Sequence, residues 1–465
     1  MGACVNLTSG VDCPLVLGAG TNYKNLKSGD PIVIGAYSYV DPISPRQSAP
    51  TLNYELAIDE FNSHTLGGLP GGESGKLRPI VAVVCAGTDS PDLEASSKHL
   101  IETLHVPAVI SSLYSQDLLR VFLEHAKTED VFFLSPLGSD STLEGAKDDD
   151  LLWQMLGSAS DLAPILNPLA PKVEEHVRAL YQIEPSAPIR VAMVEAKTPF
   201  LADLAEYAYE SVTWNGKSAK ANETAGNFLR IRIDSELVVP KPDLSEALEK
   251  LLAFQPDVVL TLASGEAVAL MKNFEGNASG HTFYVFSPDL FGDKSLIEFT
   301  QDFAPGRSLG FNYAAATDTR IYDSYFSRMT STYDVEFPLE GTENFYDTTY
   351  FLLYALASAH EAGELKGSRI AQGMRRLIGG AQSFDVGPKS VAPVLNYLGQ
   401  DPLSSFSLQG TMGPPDFHLD NGARRMEPSI YCIDAAGVYV QNVATYDSES
   451  NEIIGSPPCV EGFPE

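Results

Sequence analysis

Four sets of residues in this 465-residue chain are of types that can do chemistry, and their spacing decides whether they do. Gly306-Arg307-Ser308-Leu309-Gly310 matches G-x-S-x-G, in which a serine nucleophile sits on a strained turn between a strand and a helix. Here Ala304-Pro305 precedes the serine and the strand-like Phe311-Asn312-Tyr313 follows it, so the element order is reversed. Asp347 with His360 or His418 would complete a triad in the hydrolase chain order, but the reversed order argues for a turn before a strand. Gly71-Gly72-Glu73-Ser74-Gly75-Lys76 resembles a phosphate-binding loop. Pro70 stands where the first glycine is required, and Leu77 replaces the magnesium-binding Ser/Thr. The eight histidines show no i,i+4 pair with an acid between, and the cysteines form no C-x-x-C, so neither a catalytic nor a structural metal is expected. No cofactor is expected either, and the chain reads as a non-enzyme.

The five cysteines are unevenly placed: Cys4 and Cys13 near the start, Cys85 alone, Cys432 and Cys459 near the end. The terminal pairs predict two clips, Cys4–Cys13 and Cys432–Cys459, in an oxidising compartment. Cys85 closes the apolar run Ile80–Val84 and reads as a buried thiol. The start, Met-Gly-Ala-Cys, has no basic and apolar leader; Gly2-Ala3-Cys4 is similar to the end of a lipoprotein cleavage site.

These residues are held by elements that alternate regularly. Short apolar runs at Pro31–Gly35, Ile80–Val84, Pro107–Ile110 and Val131–Leu134 read as strands buried on both faces. Segments with helical spacing separate them, such as Tyr54, Ala57, Ile58 and Phe61. The rhythm restarts at Arg190–Val194, continues through a capping-box-like start at Asp243-Leu244-Ser245-Glu246, and runs on to Asp257–Leu260 and Thr282–Phe286. This is the pattern of βαβ units around parallel sheets, in two α/β blocks. Asp148-Asp149-Asp150 precedes the change from one block to the next and reads as a solvated loop. After about residue 310 come helices at Asn344–His360 and Ser368–Leu377, then strands at Pro428–Cys432 and Gly437–Val443.

Composition limits the partners. Lys and Arg number 31 against 61 Asp and Glu, a net charge of −30. That acidity, with no basic run, excludes nucleic acid and anionic membrane surfaces as partners. No apolar stretch approaches the roughly 20 residues that span a bilayer.

The residues then take on a family likeness. Gly35-Ala36-Tyr37-Ser38, Ala57-Ile58-Asp59-Glu60-Phe61-Asn62 with Gly67-Gly68, and Leu134-Ser135-Pro136 resemble first-lobe markers of type I periplasmic binding proteins. The branch is the leucine/isoleucine/valine-binding proteins of ABC importers. Phe345-Tyr346-Asp347 and Gly410-Thr411-Met412-Gly413-Pro414-Pro415-Asp416-Phe417, followed by Asn421-Gly422, resemble its return-segment markers. The likeness spans roughly residues 30–445.

It implies an α/β fold of two parallel-sheet, Rossmann-like lobes joined by a hinge of three crossing strands. The implied division is an N-terminal extension over 1–29, lobe 1 from 30–154 and 313–405, lobe 2 from 155–312 and 406–445, and a C-terminal extension over 446–465 clipped to lobe 2. The implied function is an extracytoplasmic, monomeric carrier that captures a small amino-acid-like ligand between its lobes and delivers it to a membrane ABC permease. A ligand-sensing receptor module of the same fold, or a serine hydrolase using the Gly306–Gly310 motif, is the alternative. The resemblance gives the ligand carboxylate to Ser115 and Ser139 with backbone at Leu137 and Gly138. It gives the ligand ammonium to Asp289, a packing face to Phe200 in place of the family's tyrosine, one wall to Ser264, and a roof to the Tyr37–Gln47 loop carrying Tyr39 and Arg46. By the same likeness, Cys85 lacks the partner of the family's first-lobe disulfide.

Overall fold

A computed structural model describes residues 7–8, 13–18, 31–38, 48–70, 77–87, 92–235, 239, 241–278, 281–314, 316, 319–335, 341–361, 364–400 and 403–464. Cys4, Tyr39, Arg46 and the Gly71–Lys76 motif therefore lie outside the described residues.

The chain divides into two compact units, Met1–Leu156 with Ala316–Arg425 and Gly157–Ala315 with Met426–Glu465, and passes between them three times. The first unit is built on β1 (Leu15–Leu17), β2 (Ile32–Ser38), β3 (Ile80–Ala86), β4 (Ala108–Ser111), β5 (Phe132–Ser135) and β6 (Leu152–Gln154). They lie in the order β1-β3-β2-β4-β5-β6, continued by the strands Ala423–Arg424 and Phe417–His418. From β3 to β6 every neighbour is parallel. The strands are apolar along their whole length because helices cover both faces. One face packs under helix α1 (Ala49–His64) and the Glu343–Glu361 helix, the other under α2 (Leu93–Lys98) and α3 (Ser115–Val121).

Helix α1 shows how the sequence fixes these elements. Ser48 has extended backbone at the N-cap, Pro50 sits in the first turn where its missing N–H costs nothing, and Phe61 is fully buried. Burying a phenylalanine contributes about 2–3 kcal/mol. Just before the helix ends, Asn62 clamps the start of β3. Its Nδ2 donates to Ile80 O at 2.8 Å and its Oδ1 accepts from Ile80 N at 3.0 Å. Gly68 then turns at φ +122° against Arg78, where a Cβ would fall 1.9 Å from the carbonyl oxygen.

The second unit repeats the plan. Its sheet runs β8-β7-β9-β10-β11-β12-β13-β14, with β7 at Val191–Ala196, β8 at Phe228–Ile233, β9 at Val258–Leu262, β10 at Phe283–Phe286, β11 at Ser308–Tyr313, β12 at Pro428–Ile433, β13 at Tyr439–Asp447 and β14 at Glu452–Gly455. The β8-to-β11 stretch is parallel and the last three strands add antiparallel.

Several expectations need correcting. Cys13 bonds Cys85, not Cys4, so Cys85 is no free thiol and does have a partner. The cause is β1, an antiparallel edge strand with Leu15 opposite Val84, which carries Cys13 to the carboxyl end of β3. Cys432–Cys459 forms as expected. Residues 406–425 fall in the first unit, because Ala423 pairs with Gln154 of β6. Residues beyond 445 are no appendage, since β13 and β14 extend the second sheet. The Asp243 capping box does not form: Asp243 Oδ1 accepts from Ser245 N at 3.0 Å and the helix begins at Ser245. Ser308 opens β11 as a buried strand residue, so no strand delivers it to a nucleophile turn. Asp150 of the acidic triplet pairs with Arg375 through two contacts of 2.8 Å. Among the described residues no helix is long and apolar enough to cross a membrane.

Candidate ligand-binding site

Open parallel sheets bind ligands beyond the carboxyl ends of their strands, where the strand order reverses. In the first unit the reversal lies between β2 and β4, and in the second between β7 and β9.

In the first unit β2 ends at Ser38 and β4 is followed by Ser112. Around them is a hydroxyl cluster: Ser38 Oγ lies 2.8 Å from Thr51 Oγ1, and Ser48 Oγ donates to Thr51 Oγ1 at 2.8 Å. The Tyr54 hydroxyl bonds Ser112 Oγ. Burial pushes the Tyr54 phenol well above its usual range, so it stays a neutral donor. Ser48 and Thr51 belong to the first turn of α1, whose free N–H groups and dipole favour an anion.

The resemblance-assigned residues sit on the next two strand ends. Ser115 is the first residue of α3; Tyr114 holds the N-cap position, and no side chain caps the helix. Beyond β5, Ser135 Oγ donates to Ser111 O at 3.1 Å and accepts Gly138 N at 2.8 Å, which folds Leu137-Gly138-Ser139 back over the strand. Gly138 has no room for a side chain: a Cβ would lie 2.7 Å from Leu143 Cδ1. Leu137 is half-buried and Ser139 buried. Asp140, not Ser139, caps the following turn, accepting from Thr142 N at 2.9 Å.

In the second unit β7 ends in Glu195-Ala196, and Thr198 starts the helix Pro199–Ser211, with Phe200 half-buried in its first turn. Glu195 is buried and already paired: Arg230 Nε approaches at 2.9 Å and Arg232 Nε at 2.5 Å, both from neighbouring β8. Its charge is therefore not available to a ligand ammonium.

Asp289 differs. Ser287 Oγ donates to Ala263 O at 2.7 Å, tying the end of β10 to the end of β9. That tie brings Ser264 Oγ within 3.1 Å of Asp289 Oδ2. Ser264 N donates to Glu266 Oε1 at 3.1 Å, placing a second carboxylate beside the first. Desolvation by surrounding atoms pushes the Asp289 carboxyl up to about 6; Ser264 opposes this and Glu266 adds to it. The residue is exposed, so water screens part of that penalty. Asp289 is no helix cap: it lies inside the short turn Pro288–Leu290, and Asp293 caps the next helix.

Sequence reasoning named Ser115, Leu137, Gly138, Ser139, Phe200, Ser264, Asp289 and Tyr39; Tyr39 lies outside the described residues, and the structure brings Ser264 and Asp289 into contact. It missed Ser38, Ser48, Thr51 and Tyr54. The signal that finds them is strand order: they border the β2 end, one side of the reversal point.

No protein-family model matches the chain, and no curated protein matches it. Solved structures do. A branched-chain amino acid transporter substrate-binding protein from Streptococcus pneumoniae, in complex with isoleucine, superposes with a TM-score of 0.60 at 14% identity over 90% of this chain and 100% of that one. A solute-binding protein of an ABC transporter from Rhodopseudomonas palustris, in complex with 3,4-dihydroxybenzoic acid, gives 0.60 at 14% over 90% and 98%. A leucine-binding protein from Thermotoga maritima gives 0.57 at 12% over 91% and 98%. The chain has the fold of type I periplasmic binding proteins.

Proposed function

We propose that this chain is an extracytoplasmic solute-binding protein that captures a small amino-acid-like ligand and passes it to an ABC permease. The observation that carries the reading is the contrast in donors at the strand ends. The first unit supplies neutral hydroxyls and N–H groups at Ser38, Thr51, Ser115 and the Leu137–Ser139 turn, which suit a carboxylate. The second unit supplies Asp289, which suits an ammonium. Phe200 and Leu137 add apolar surface for a side chain. On this reading the ligand shifts an open–closed equilibrium.

Two further features agree. The ligands named for the structural neighbours, isoleucine and 3,4-dihydroxybenzoic acid, share a carboxylate. Both disulfides suit an oxidising compartment outside the cytoplasm. A thermal-shift screen of free amino acids and aromatic acids tests the reading. A cognate α-amino acid at 100 times its dissociation constant should add about 2.7 kcal/mol of stability. Stabilisation by aromatic acids alone would reject the amino-acid assignment, and no response to any carboxylate would reject the carrier.

A further inference from the structure

The first unit carries a second cluster that the ligand site does not use, on the face covered by α2 and α3. Each of these helices runs into one wide π-helical turn, His99–Thr103 and Phe122–Ala126. In them Leu104 N–H reaches back five residues to His99 O, and Lys127 N–H to Phe122 O, at 2.9 Å each. Such turns cost helix regularity and recur where side chains must be re-aimed. The two turns pack against one another. Between them sits His125, only 7% exposed, with a carboxylate at each ring nitrogen: Nε2 is 3.0 Å from Glu94 Oε2, and Nδ1 is 3.4 Å from Glu102 Oε1.

We propose that Glu94, Glu124 and His125 bind one divalent first-row transition-metal ion such as Zn²⁺, with Glu102 orienting the imidazole. One ligand atom from each of Glu94, Glu124 and His125 lies within 4.8 Å of the other two. A tetrahedral zinc with bonds of about 2.0–2.2 Å needs ligand atoms about 3.3 Å apart, so binding requires the two exposed glutamates to close in from within 4.8 Å by rotamer changes. The buried histidine takes the shape that metal-binding histidines take: one nitrogen to the ion, the other N–H to a carboxylate that fixes the ring.

Charge points the same way. Glu94, Glu102, Glu124 and Asp117 face Lys98 and Arg120, so the carboxylates outnumber the Lys and Arg cations by two. A divalent ion cancels that excess. Lys98 Nζ holds Glu94 at 2.7 Å and is the cation the metal would displace. A site with three protein ligands leaves one position for water. A carboxylate–imidazole donor set favours zinc, nickel or copper over calcium. Bound there, the ion would staple α2 to the π-helical turn that continues α3.

The test is calorimetric titration of ZnCl₂ and, separately, CaCl₂ into the full chain after dialysis against a chelator. One Zn²⁺ per chain at micromolar affinity or tighter is expected, with Ca²⁺ at least about 100-fold weaker. His125→Gln should lower zinc affinity at least 100-fold. Glu102→Gln should lower it about 10- to 100-fold while keeping the stoichiometry at one. Should His125→Gln fail to fold, Glu124→Gln on the exposed rim takes its place, and Co²⁺ absorption of the wild-type chain reports imidazole ligation. Zinc binding weaker than millimolar, zinc binding unchanged by these substitutions, or calcium binding as tightly as zinc would overturn the site and leave an ion-paired acidic patch.

Discussion

Glu195 and Asp289 both stand at the carboxyl end of a parallel strand in the same sheet, and their surroundings differ sharply. Glu195 ends β7 beside β8, and β8 places two arginines opposite it. Asp289 follows β10, whose neighbours β9 and β11 bring no cation; its hydrogen-bond partner is the Ser264 hydroxyl. An acid with two guanidinium partners holds the fold together. An acid with one serine partner is the one proposed to bind a cation that arrives from outside. Strand order makes the difference, because it decides which side chains stand next to each acid.

The comparison can be broken in four ways. Glu195→Ala leaves Arg230, which is largely buried, with Glu206 as its remaining carboxylate partner, and should cost about 2 kcal/mol of stability while leaving ligand affinity within twofold. Urea unfolding alongside calorimetry checks it, and a large loss of affinity with intact stability would reverse the two roles. Second, pH should act through Asp289. With a carboxyl pushed up to about 6, affinity for an ammonium ligand is full above that value and falls about tenfold per unit below it. Affinity that is flat between pH 5 and 7 would remove Asp289 from the site. Third, Ser264→Ala removes the hydrogen bond that favours ionised Asp289. Affinity at neutral pH should drop by about 1 kcal/mol, and the midpoint of the pH profile should move up. Fourth and smallest is the stability of the empty protein. A raised folded-state value means that ionising Asp289 disfavours the fold, so its contribution is fully present below the unfolded value near 4 and is lost as pH rises through about 6. Asp289→Asn should therefore stabilise the empty protein slightly at pH 7 and not at pH 4, read from denaturation midpoints.

Much of the fold was legible because parallel strands buried on both faces leave continuous apolar runs. Pro31–Gly35, Ile80–Val84 and Val131–Leu134 all became central strands, each within a few residues of its expected bounds. The markers behind the family likeness also have a physical basis. Asp347, buried in its helix, accepts from Thr411 N at 2.9 Å and Met412 N at 3.2 Å, and a Cβ at Gly410 would lie 2.2 Å from its Oδ2. The two motifs are joined in this chain by those hydrogen bonds. What was not legible depended on pairing between distant strands. The Cys13–Cys85 bond needed the antiparallel placement of β1, and the Glu195–Arg230–Arg232 cluster needed β8 beside β7. The hydroxyl cluster at Ser38 needed the point of strand reversal. None of these leaves a local pattern. Ser115 and Ser139 were named from likeness alone, and their place on the β4 and β5 ends is compatible with that role.

The most direct measurement is calorimetry of one retained α-amino acid and its des-amino analogue against wild type and Asp289→Asn. The wild-type chain should prefer the amino acid by at least 30-fold, about 2 kcal/mol. Asp289→Asn should bind both within threefold of each other. If the preference for the amino group survives in Asp289→Asn, the ammonium is held elsewhere, and the division of labour between the hydroxyl-lined strand ends and Asp289 is wrong.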